Sequence, residues 1–209
     1  RSSDLGYAGN GRVSKLHYGK MLAAALAYLA ARQADNVGLF AYADELRHEV
    51  RPGHRNDQAR RIAVAVSTLA AEGACNHAEV LAYLAEHFNR RGIIVLISDL
   101  LDTDARLFDY LKYFRAAHHD VILLHVLDDD ELDFDLDGTR RFIESESAAE
   151  IVTAPQAVQQ QYRENVNAYL DELQSFARTH SIDYCRCRTS QSLRAALSSY
   201  LNRRTRFSP

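Results

Sequence analysis

Behind Ser14, a residue type that caps helices, the chain runs through "KLHYGKMLAAALAYLAARQ", and Lys15 to Gln33 reads as a helix. "NVGLFAYA" then reads as a strand that ends at Asp44, and "LRHEVRP" as its hairpin partner. Two helices are expected next, Asp57 to Ala71 and His77 to Arg90, the first carrying Ile62, Val66 and Leu69 at helical spacing. Gly92 ends them. "IIVLISDL" is an unbroken β-rich run of the kind found in strands buried on both faces. It is followed by the amphipathic helix "DARLFDYLKYFRAAHH" and a second apolar strand, "DVILLHVL". The unit recurs once more as a long helix from Pro155 to about Thr179, the strand "DYCRCRT", and a last helix from Ser192 to Asn202.

Alternation of this kind implies an α/β fold, an open and mostly parallel sheet with helices on both faces. In such sheets ligands collect at the carboxyl ends of the strands. Three acids mark those ends: Asp44, Asp99 beside Ser98, and Asp128. A polar residue at a strand exit commonly does no more than satisfy loop amides. Asp99 stands out because it follows an unbroken apolar strand, a position suited to a metal or a phosphate. His118 and His119 fall at a helix-to-strand junction and read as solvated turn residues. Cys185 and Cys187, two apart on a strand, point to one face and are expected to be buried as small apolar groups.

Composition narrows the classes. The 209 residues are 47% hydrophobic, enough to bury the core of one domain spanning 1–209. A net charge of -3 and a pI near 6.3 give no general basic field for nucleic acid. Three cysteines without a CxxC spacing suggest reduced thiols and a cytoplasmic setting. "MLAAALAYLAA" is shorter than the roughly 18 apolar residues of a membrane span and reads as a buried helix, and no apolar leader opens the chain.

"DFDLDGTRRFIE", Asp133 to Glu144, fits the acidic pattern of a calcium loop. Such a loop needs a helix on each side, and here a strand precedes it and no helical period follows until Pro155. Arg140 also stands where an apolar residue is usual. The stretch near 128–153 is therefore expected to be a strand exit followed by a small acidic hairpin.

"IIVLISDLLD", with "VSKLHYGKMLAAALAYLAARQADNVGLFAYAD" before it and "HHDVILLHVLDDDELDFDLDGTRRF" after it, resembles the bacterial proteins of domain-of-unknown-function family 58. The similarity runs nearly end to end, to "SLRAALSSYL". Those proteins are von Willebrand factor A-like domains, commonly encoded beside MoxR-type AAA+ ATPases. The resemblance implies a metal-ion-dependent adhesion site, a hydroxyl-rich magnesium cage completed by a partner's carboxylate. Its aspartate would be Asp99, its last serine Ser2, and its threonine position Cys75. The leading aspartate and the central strand that carries it find no counterpart here, so a gap is expected between the strands at 37–42 and 93–99, to be filled by an N-terminal extension. Sulfur at Cys75 suits magnesium poorly, so weak or absent Mg2+ binding is expected, with Asp99 held by loop amides and hydroxyls.

No GxSxG, P-loop or HExxH motif is present. The leading expectation is a non-catalytic module that binds a MoxR-type ATPase and client proteins through an edge formed by Asp4, Asp44, Ser98, Asp99 and Asp128. The alternative is a metal-dependent hydrolase that uses Asp44, Asp99 and Asp128 as ligands.

Overall fold

A computed structural model of the protein describes residues 13–71, 77–88, 90–101, 105–133 and 155–198. In chain order the elements are α1 (Lys15–Arg32), β1 (Val37–Tyr42), β2 (Leu46–Gly53), α2 (Gln58–Ser67), α3 (His77–His87), β3 (Ile93–Ser98), α4 (Ala105–Ala116), β4 (Asp120–Leu127), α5 (Asp129–Asp133), α6 (Pro155–Thr179) and β5 (Asp183–Arg188). Residues 193–198 are again helical. The architecture is mixed α/β with a small parallel sheet.

The parallel sheet has the order β3-β4-β5, with Ile93 opposite Asp120 and Ile122 opposite Asp183. β4 is its central strand, and Val121 to Leu127 are buried throughout. Because side chains alternate across a strand, its two faces feed two cores. Val121 and Leu123 join Leu107, Leu111 and Phe114 of α4 and Leu173 of α6. Ile122, Leu124 and Val126 join Tyr18 and Leu22 of α1 together with Cys185 and Cys187. Helices on both faces are what an uninterrupted apolar strand requires.

Further along, α1 covers a second sheet, the antiparallel hairpin β1-β2, where Ala27 meets Val50 and Ile62 and Val66 of α2. Within this hairpin Gly38 lies so close to the opposite strand that an added Cβ would sit 2.8 Å from Val50 O, so only glycine fits there. β1 and β3, the strands expected to flank a gap, belong to separate sheets and are not hydrogen-bonded to each other.

Several expectations are corrected. β3 was expected to be buried on both faces, yet Ile93 and Val95 are 54% and 37% exposed, because β3 pairs with β4 on one edge only. The alanine-rich segment of α1 is not buried all round: Tyr28 is 54% exposed on its outer side. α2 and α3 end at Ser67 and His87, short of the predicted bounds. The acidic strand exit forms a short helix, Asp129–Asp133, and the expected hairpin, with all of the calcium-like pattern after Asp133, lies outside the described residues. His119 is no solvated turn residue. It is buried, edge-on to Phe114, whereas His118 is exposed and takes the left-handed turn with φ 65°.

Cys185 and Cys187 are buried on one face of β5. A hydrogen bond with Cys185, followed by burial, pushes the Cys187 thiol well above its ordinary range. Since the thiolate is the reactive species, neither cysteine should react with a disulfide reagent under native conditions, and both should react once the chain is unfolded. Reagent uptake by mass spectrometry, with and without urea, checks this.

Candidate functional site

The carboxyl edge of the parallel sheet is built from the ends of three strands and the start of one helix. β3 delivers Ser98 and Asp99, β4 delivers Asp128, β5 delivers Thr189, and the first turn of α1 brings Lys15. All five are buried, and Asp99 and Lys15 are 1% and 0% exposed.

Ser14 caps α1 by accepting a hydrogen bond from His17 N at 3.2 Å, which fixes the helix start and aims Lys15 across the sheet edge. The Lys15 ammonium donates to Asp99 Oδ2 at 3.1 Å and to Glu131 Oε1 at 2.5 Å. Burial alone would lower the pKa of this lysine, but the two carboxylates outweigh burial and hold it above the ordinary lysine value. Asp99 was expected to rest on loop amides and hydroxyls; instead it meets an ammonium. The Ser98 hydroxyl is committed elsewhere, accepting from Leu100 N at 3.1 Å across a sharp turn in which Leu100 has φ 52°. Tyr169 donates its hydroxyl to Leu100 O and holds that turn from α6.

Glu131 is positioned by the sequence "DDDE" that follows β4. Asp128 caps α5, accepting from Asp130 N at 3.0 Å, while Glu131 Oε2 accepts from Asp128 N at 2.8 Å. This reciprocal arrangement is a capping box, and it leaves the second Glu131 oxygen free to take Lys15. The other Asp128 oxygen accepts from Thr189 Oγ1 at 2.7 Å, tying β4 to the end of β5.

Beneath the edge, His125 Nε2 lies 2.7 Å from Asp99 O and Nδ1 lies 2.8 Å from Tyr184 Oη. A carbonyl only accepts, so Nε2 carries the ring proton and Nδ1 accepts from the tyrosine. Burial, with Lys15 and Arg186 nearby, pushes His125 down to about 4, so the ring is neutral at pH 7. Replacing Tyr184 with Phe would leave the buried Nδ1 without a donor. Tyr184→Phe should therefore lower stability in urea denaturation by about 1–3 kcal/mol, the usual cost of an unsatisfied buried polar atom.

Asp99 and Asp128 are thus joined through Lys15 and Glu131, but Asp44 is not gathered with them. Asp44 sits on the β1–β2 hairpin, 58% exposed, and binds Arg47 at 2.6 Å and Glu45 N at 3.1 Å. The expected trio of aspartate ligands is therefore not assembled, and among the described residues no cluster of three or more His, Cys, Asp or Glu is placed to hold a metal. Magnesium also fits Asp99 poorly, because its Oδ2 is already met by a cation of the chain itself. Ser2, Asp4 and Cys75 lie outside the described residues.

Lys15 and Glu131 were missed by the sequence reading, although "DDDE" at a strand exit is a recognisable capping signal. Leu101, two residues beyond Asp99, is 50% exposed and places an apolar side chain at the surface in the loop that follows β3.

The sequence model of the family described as "Protein of unknown function DUF58" matches residues 2–171. No curated protein matches the chain. Two crystal structures share its fold. One, described as an aerotolerance-related membrane protein from Bacteroides fragilis with multiple mutations to serines, is 14% identical with a TM-score of 0.58, over 96% of this chain and 94% of its own. The other, the conserved hypothetical protein BatB from Bacteroides thetaiotaomicron, is 16% identical with a TM-score of 0.54, over 92% and 89%. No described helix is long and apolar enough to cross a membrane.

Proposed function

The chain belongs to the protein family of unknown function DUF58, and from that premise we propose that it is a von Willebrand factor A-like, non-catalytic module that docks protein partners at the carboxyl edge around Asp99. The partner implied by the resemblance is a MoxR-type AAA+ ATPase, acting on client proteins whose assembly or metallation it assists. The observation that carries the reading is how the edge is occupied. Asp99 and Asp128 are taken up by Lys15 and Thr189 inside the chain, and the Thr189 hydroxyl that Asp128 holds is itself buried at the end of β5. Beside these acids stands an exposed apolar group, Leu101, whose surface a docked partner would remove from water.

A strand between β1 and β3 belongs to the same proposal. Among the described residues β1 pairs with β2 alone and β3 with β4 alone, α1 touches both, and Ile93 and Val95 are more exposed than strand residues in the middle of a sheet would be.

Co-purification with the neighbouring ATPase tests the reading, alongside a screen of generic phosphatase and esterase substrates with Mg2+ or Mn2+. Binding without turnover is expected, and Leu101→Asp should weaken binding by about tenfold or more without moving the thermal midpoint. Turnover that disappears in Asp99→Ala would replace this reading with a metal-dependent hydrolase.

A further inference from the structure

A buried lysine in the first turn of a helix is badly placed in two respects. The helix dipole disfavours a cation there, and burial penalises the charge. Lys15 is held in that position regardless, completely buried, with its ammonium 3.1 Å from Asp99 Oδ2 and 2.5 Å from Glu131 Oε1. Two carboxylates from different elements, one after β3 and one in α5, converge on a single positive atom supplied by a third.

We propose that the Lys15 ammonium is the resident cation of this sheet edge, seated where a divalent ion would otherwise bridge Asp99 and Glu131, and that removing its charge uncovers a hard-cation site. The inference rests on the Asp99 edge being the functional site. Both carboxylates have reasons to stay in place when the ammonium is gone. Glu131 remains tied to Asp128 N through its other oxygen, and the Asp99 backbone is pinned by His125 at its carbonyl. Without Lys15 the two acids would repel each other, a repulsion that a divalent ion with oxygen ligands relieves. Glu131 is 20% exposed, which gives water and an ion a way in.

The test is Mn2+ titration of the wild-type chain and of Lys15→Met, which keeps the length and apolar stem of the side chain while removing its charge. Calorimetry reads affinity, and paramagnetic broadening of the Asp99 and Glu131 amide signals reads location. The wild type should show no broadening there at about 1 mM Mn2+, while Lys15→Met should bind at least about tenfold more tightly and lose the gain in Lys15→Met/Glu131→Gln. Wild-type binding at Asp99 as tight as that of the variant would overturn the proposal, as would a folded variant with no gain. Should Lys15→Met be unfolded without metal, Mn2+ should restore its helical circular dichroism; failure to restore it at about 10 mM would equally overturn the proposal. No partner is present in this experiment, so its failure leaves the docking reading standing, and a failure of ATPase binding leaves the Mn2+ result standing.

Discussion

Lys15→Met should lower the stability of the folded chain by about 3–5 kcal/mol, the cost of stripping a buried charge of its partner. The charge left behind is chiefly that of Asp99, which is 1% exposed and has no water to fall back on. Glu131, 20% exposed, recovers part of its hydration, which favours the lower half of that range. Urea denaturation at pH 7 gives the value, and an unchanged slope would show that the unfolded state is not altered. Adding Asp99→Asn to Lys15→Met should recover much of the loss, because the double variant buries no unpaired charge; simple additivity of the two losses would mean that the two groups do not interact. The pH dependence has a defined sign. Since Lys15 is raised in the folded state, its contribution is present in full below the ordinary lysine value and is lost as pH rises through the folded value.

His125 carries the second large effect, with the opposite sign. Burial foremost, then the nearby Lys15 and Arg186 charges, hold it at about 4 against an ordinary 6.5, so the unfolded chain takes up the ring proton first. Stability should therefore be complete above pH 6.5 and fall on acidification, by up to about 3 kcal/mol at about pH 4, where the folded ring begins to protonate too. Carboxylates also titrate at the lower end of this window, so the comparison is with His125→Gln, which cannot take up that proton. Chemical denaturation at half-unit pH steps should give a steeper fall for the wild type than for His125→Gln between 6.5 and 4, and parallel curves would refute the assignment.

β4 shows which parts of this fold were legible in the sequence. Its apolar run is long, β-branched and flanked by acids, and such a run has few places to go except the middle of a covered sheet, where it is found. β3 looks the same in the sequence, yet two of its residues are exposed, because strand pairing is a property of neighbours far along the chain and leaves no mark within the strand. The site divides in the same way. Asp99 and Asp128 were visible as acids at strand exits, a position that topology makes meaningful. Lys15 was not, since it lies 84 residues from Asp99 and a single lysine opening a helix reads as a solvated side chain. Asp44, visible for the same reason as the other two acids, belongs to a hairpin of its own, and only the separation into two sheets removes it from the group.

The central claim, that partners dock at this edge with no metal between them, is tested most directly by one calorimetric titration. The nucleotide-free MoxR-type ATPase is titrated into the chain in EDTA and again in Mg2+ at about 1 mM, and the two dissociation constants should agree within about twofold. A constant that weakens by about tenfold or more in EDTA would mean that a divalent ion completes the edge, and would contradict the account.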